Sequence, residues 1–159
     1  IEIVIMEFCF VFISQNNRTD KLNAVSTTGS LYNYDNRLIM ADHGDFGWSN
    51  GFHYGKMPES RPGWVFINTY SNVNNGSSSS DWGANQLILM KLDAETNNPT
   101  VWRIGSNYNR YAGNYRDEAP AAINQIGNRI YLSNNWGGRL NHREVFVFEL
   151  PDNWNSVLN

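Results

Sequence analysis

The sequence has one cysteine, few charges and no long helical pattern, and each shortage excludes something. Cys9 is the single cysteine in 159 residues. It can form no intrachain disulfide and no cysteine-based zinc site, and inside an apolar run it reads as a small buried hydrophobe. Charged residues make up only 17% of the chain, and the formal net charge is −3. The basic residues fall mostly singly, so nothing supplies the basic face that nucleic acid requires. No stretch of twelve or more residues carries the i, i+3, i+4, i+7 apolar spacing of an amphipathic helix. The apolar N-terminal run "IEIVIMEFCFVFIS" stops at Ser14, too short to span a bilayer. No basic residues precede it and no small-x-small cleavage site follows, so it reads as a buried strand rather than a signal peptide. Phosphate loops, dinucleotide fingerprints, nucleophile elbows and the HExxH motif are all missing. Two glycosylation sequons, at Asn17 and Asn75, matter only in a eukaryotic secretory setting.

What is present is aromatic and amide-rich. The chain holds 6 Trp, 8 Tyr and 8 Phe. Asn is common, so the polar surface is built from amides and hydroxyls more than from charges. Short apolar runs bounded by Gly, Asn, Asp and Pro dominate, which predicts an all-β fold.

Those runs follow a common plan. "FVFISQNN" (10–17), "WVFINTYSN" (64–72) and "RIYLSNNWG" (129–137) each hold apolar strand residues, then Ser or Asn, then a polar loop. Each is followed by a second strand: "GSLYNYD" (29–35), "QLILMKLD" (86–93) and "EVFVFELP" (144–151). The second strands recur at a spacing of 58 residues in both steps. Further strands are expected at "RLIM" (37–40), "FGW" (46–48), "TVWRI" (100–104) and "AAINQI" (121–126). A closing strand in the last unit would have to come from "NWNSVL" (153–158). Short strands at such a period define a repeated unit of four antiparallel strands, a β-propeller-type blade. The approximate units are 1–40, 41–104 and 105–159, two to three blades in one partial domain. A propeller closes with four to eight blades. The short count and the start at Ile1 predict a fragment of a larger propeller, closed by missing blades or by another copy.

The segments "HGDFGW" (43–48), "VWRIGSNYNR" (101–110) and "EAPAAINQIGNRIYLSNNWGG…REVFVFELP" (118–151) carry a resemblance to the TolB-like, WD40-like β-propeller repeat proteins of bacterial cell envelopes. The chain more distantly resembles the propeller of oligogalacturonate lyase-type enzymes. The likeness covers roughly the last two thirds of the chain. It departs from the pattern in lacking the Ser-Pro-Asp-Gly turn and a closing Trp-Asp pair. The resemblance implies an extracytoplasmic protein, periplasmic or secreted. In the lyase-type relatives a His-rich metal cluster does the chemistry; here the corresponding stretch reads "RIGSNYN", with Ser106 and Asn107 in it.

In an antiparallel unit the long connections 15–28, 72–85, 105–118 and 135–143 return to one face, which is where binding usually lives on a rigid scaffold. The candidate ligand-binding residues there are Trp82, Asn107, Tyr108, Arg110, Tyr111, Arg116 and Trp136. Ring faces suit the apolar faces of sugars, and amides and Arg suit their hydroxyls; the same residue types also suit a protein partner. The expected role is a non-enzymatic binding scaffold for a glycan or a protein, with no cofactor. The alternative is a polysaccharide lyase or hydrolase with a His/carboxylate site. His43, Asp45 and Glu118 are its catalytic candidates, and His43 is also the weak candidate for a metal. Asp117 and Glu118 are adjacent and so point to opposite sides of an extended chain, which suits salt bridging as well as catalysis. His53 falls in the expected loop 49–62 on the opposite face and reads as solvated.

Overall fold

The computed structural model describes residues 11–16, 21–26, 38–42, 50–55, 57–58, 60–71, 82–91, 99–111, 115–136 and 143–158. Among these the fold is mostly β. Strands β1 (Val11–Asn16), β2 (Lys21–Ser26) and β3 (Leu38–Asp42) form a three-stranded antiparallel sheet. Strands β4 (Asn50–Gly55), β5 (Trp64–Ser71), β6 (Gln86–Lys91) and β7 (Thr100–Ser106) form a four-stranded one. Strands β8 (Ala121–Ile123), β9 (Arg129–Asn134) and β10 (Glu144–Glu149) form the third. Every pairing joins sequence neighbours, so each sheet is a simple meander. Within the described residues the sheets close into neither a barrel nor a ring.

The four-stranded and last three-stranded sheets pack face to face. Trp64 and Phe66 of β5 and Leu87 and Leu89 of β6 meet Ile130 and Leu132 of β9, with Phe146 and Phe148 of β10 against them. At Gly105 of β7 a Cβ would stand 2.8 Å from the Phe148 ring, so a glycine is what allows this approach. The opposite face of the four-stranded sheet is buried too, through Val65, Ile67, Ile88 and Met90. That is why β5 and β6 read as continuous apolar runs, "WVFI" and "LILM". In β9 and β10 inward and outward residues alternate, as in a sheet covered on one face.

Several strand expectations need correction. The first strand of the second unit is β4, inside the stretch 49–62 expected as a loop; "FGW" (46–48) lies outside the described residues. "NGFHYG" hides its strand because Gly51 and Gly55 stand where the rings of Tyr70 and Phe66 cross the neighbouring strand. Strand β2 likewise falls in the expected loop 15–28, and "GSLYNYD" lies outside the described residues. The second strands therefore start 65 residues apart from Lys21 to Gln86 and 58 apart from Gln86 to Glu144, so the even period holds for one step only. "NWNSVL" is not a strand. Trp154–Val157 is a short helix, α1, started by the turn in which Trp154 N–H donates to Pro151 O (3.0 Å). Burial of the Trp154 indole fixes it. Its Nε1 donates to Gly127 O (2.6 Å), and its ring stands edge-on to Trp64 at 4.7 Å.

Candidate functional site

The strand ends Ser71, Gln86, Ser106 and Asn134 lie at one end of the packed sheets, where the described parts of three connections meet. Asparagine side chains splice them together, because one amide both donates and accepts and so can replace a missing backbone partner. Asn107 Nδ2 donates to Asn68 Oδ1 (2.8 Å) and Thr69 O (2.7 Å), and Asn107 Oδ1 accepts from Asn109 N–H (3.0 Å). Asn68 Nδ2 donates to Ala119 O (2.5 Å), and Asn134 Nδ2 donates to Asn107 O. Asn135 binds the backbone of Arg110 at both ends, accepting from its N–H and donating to its carbonyl, each at 2.9 Å. Asn109 Nδ2 donates to Asp117 O. Asn68, Asn107, Asn109, Asn134 and Asn135 are all buried. Asn107, a sequence candidate for ligand contact, thus has its amide committed inside the protein. Asn68, Asn109 and Asn135 were missed, although Asn near the strand exits was their signal.

The network leaves two aromatic side chains outside. Tyr108 and Trp136 are 58% and 57% exposed, with ring centroids 4.7 Å apart. Phe146 stacks on the inner side of Trp136 at 4.8 Å. Both exposed residues have left-handed backbone, φ 52° at Tyr108 and 48° at Trp136. A bulky L-residue there costs about 1–2 kcal/mol, and such positions persist only where the surroundings hold them. The hold is the same in both. Ser106 Oγ accepts from Tyr108 N–H (3.2 Å), and Asn134 Oδ1 accepts from Trp136 N–H (2.8 Å). "SNY" and "NNW" are therefore one device used twice: a polar acceptor, a buried Asn, then an outward ring.

The other sequence candidates are placed unevenly. Arg110 is exposed, and Tyr111 is half-buried with its ring 4.9 Å from Tyr70. Trp82 is partly exposed under the guanidinium of Arg103, 5.8 Å from the ring centroid. Arg116 has its backbone in the turn Tyr115–Asp117, and its side chain lies outside the description. His43 and Asp45 lie outside the described residues.

A second cluster forms where Glu118 meets β4 and β5. His53 is not in a solvated loop but on β4, directly opposite Asn68 of β5. Its Nε2 lies 3.1 Å from Glu118 Oε2, with 28% and 12% of the two side chains exposed. The contact is an ion-pair approach without directed hydrogen-bond geometry. Tyr70, whose ring is 5.2 Å from that of His53, lies within electrostatic reach of Glu118. Burial first, then the Glu118 carboxylate, push the Tyr70 phenol up to about 12. Burial also raises the phenol of Tyr54. The neighbouring Asp117 turns the other way and is gripped by Arg143 Nη2 at 2.6 Å, so the two adjacent carboxylates do take different partners. With Asn68 on Ala119 O and Asn109 on Asp117 O, the segment presenting Glu118 is fixed on both sides.

Among the described residues no group of three or more His, Cys, Asp and Glu is placed to hold a metal. No described helix is long and apolar enough to cross a membrane. Compared with known proteins, the chain matches no family model, no curated protein sequence and no solved structure.

Proposed function

We propose that this chain is a glycan-binding part of a β-propeller protein that works outside the cytoplasm, with Tyr108 and Trp136 as the rings on which a sugar stacks. The single observation behind this is the pair of exposed rings on left-handed backbone, each held by a hydrogen bond from its own N–H to the side chain two residues earlier. Packing against each other and Phe146 leaves more than half of each residue in water, where stacking on the C–H face of a sugar would use it. Arg110, whose backbone is held by Asn135 next to Trp136, would contribute hydroxyl contacts, and Trp82 would offer a further ring. The propeller architecture draws support from face-to-face antiparallel meanders, from the burial of both faces of the middle sheet and from the 58-residue step between β6 and β10. The extracytoplasmic setting rests on the resemblance, the amide-rich surface and the single cysteine. The test is an array of plant, bacterial and animal glycans probed with the full chain. Binding to a defined set of glycans that disappears with Trp136→Ala supports the reading, and no binding to any member refutes it.

The His53–Glu118 contact favours a second reading, a catalytic propeller acting on polysaccharide. In it His53, rather than His43, would partner Glu118 in proton transfer. Product released from a polysaccharide by the wild type, and lost in Glu118→Gln with the fold intact, would decide for it.

A further inference from the structure

Two adjacent carboxylates before β8 are enclosed alike but answered differently. Asp117, with 6% of its side chain exposed, is gripped by the Arg143 guanidinium at 2.6 Å. Glu118, with 12% exposed, has no Lys or Arg within ion-pair distance among the described residues. Its ion-pair neighbour there is His53, which carries charge only when protonated. His53 Nε2 stands 3.1 Å from the carboxylate and is buried without a directed hydrogen bond to any described group. Enclosing a carboxylate without a full counter-charge is costly, and such groups are ordinarily paired. The other side chains grouped here are aromatic. The Tyr70 ring lies 5.2 Å from that of His53 and 4.9 Å from that of Tyr111, tilted by 34° and 59°, so the three rings turn a corner rather than form a flat stack. The Tyr70 phenol, pushed up to about 12, stays neutral beside the carboxylate. His53 keeps 28% of its side chain exposed, and Tyr70 and Tyr111 are half-buried, so the corner has a wet side.

We infer that this corner is a subsite for the ammonium group of an amino sugar, with the Glu118 carboxylate as its counter-charge and the Tyr70 and Tyr111 rings against it. A carboxylate beside aromatic faces selects a cation over a neutral hydroxyl. The carboxylate accepts a charge-assisted hydrogen bond, and the rings attract positive charge through their quadrupoles. A bare metal ion fits less well, since no three His, Cys, Asp or Glu converge among the described residues. That the ammonium sits on a sugar follows from the run of chain that joins the two sites. Tyr108, on the ledge, and Tyr111, in the corner, are three residues apart, so their Cα atoms stand within about 11 Å of each other. Asn109 ties this run to Asp117 O, and Asn135 holds both backbone groups of Arg110. A short oligosaccharide stacked on the ledge would therefore bring a further sugar to the corner. The ammonium subsite stands on its own geometry, and its assignment to a sugar rests on the glycan reading.

The experiment is isothermal titration of the full chain with a glucosamine oligomer and with the N-acetylated oligomer of equal length, in which an amide replaces each ammonium. The wild type should bind the glucosamine oligomer about tenfold or more tightly, the scale of one charge-assisted hydrogen bond. Glu118→Gln should erase the preference. Tyr111→Leu should reduce it severalfold and serves as the second variant if the first does not fold. Trp136→Ala should weaken both oligomers together. Equal binding of the two oligomers by the wild type overturns the inference and leaves the glycan reading standing. A preference that survives both Glu118→Gln and Tyr111→Leu overturns it as well, and assigns the effect to the chain's formal net charge of −3. Binding of neither oligomer also overturns it, and the glycan array then decides the ledge separately. A preference that needs Glu118 while Trp136→Ala changes nothing supports the ammonium subsite and refutes the ledge as its neighbour.

Discussion

Trp136 and Tyr108 stand ring to ring at 4.7 Å, and each is reached from a strand end through the same three-residue device. Their position depends on Asn134, which accepts from the Trp136 N–H and donates to the Asn107 carbonyl. Asn134→Ala removes both bonds and leaves buried backbone groups unpaired. It should cost about 1–3 kcal/mol, measured by urea unfolding, and should weaken any ligand that uses the ledge. A change within error would mean that the device does not hold the rings.

Asn68 and Asn107 act as a unit, so their losses should not add. Asn107→Ala and Asn68→Ala each break the 2.8 Å contact between them. The double variant should be less destabilised than the sum of the singles, by about 0.5–3 kcal/mol of coupling. Strict additivity in a double-mutant cycle would contradict the network.

Tyr70 titrates high because burial and the Glu118 carboxylate both disfavour the phenolate. The folded state therefore holds this proton more tightly than the unfolded state, whose phenol titrates near 10.0. The stabilisation is complete below about 10 and is lost as pH rises through about 12. Phenolate absorbance should contain a late step that vanishes in Tyr70→Phe. In Glu118→Gln that step should move down, with burial still holding it above the ordinary value. An unmoved step would remove Glu118 as a cause.

At Gly51 a methyl group would run into the Tyr70 ring. Gly51→Ala should therefore displace Tyr70 from Glu118 and destabilise the protein by about 1–3 kcal/mol. Pairing it with Tyr70→Ala should relieve the clash, so that Gly51→Ala costs far less in that background. Equal cost in both backgrounds would place the strain elsewhere.

How much of this was legible in the sequence varied with what each residue does. Strands β5, β6, β9 and β10 were visible because their apolar side chains fill the core. Strands β2 and β4 were not. β4 spends two of its six positions on glycines under neighbouring rings and reads as a loop. The cost of that misreading was His53, placed in solvent although it meets Glu118, 65 residues away in sequence and joined to it only by the packing of β4 against the segment before β8. The exposed rings of Tyr108 and Trp136 were found because Asn, Gly and aromatics cluster at strand exits. The same clustering drew attention to Asn107 as a surface group, since an amide that bonds backbone and one that bonds ligand look alike in sequence.

Affinity-gel electrophoresis tests the central claim most directly. The wild-type chain and Trp136→Ala are run through gels with and without the polysaccharide chosen by the array. The account predicts that polysaccharide retards the wild type and leaves Trp136→Ala at its free mobility, with urea unfolding confirming that the variant is folded. Equal retardation of the two would contradict the ledge as the binding site.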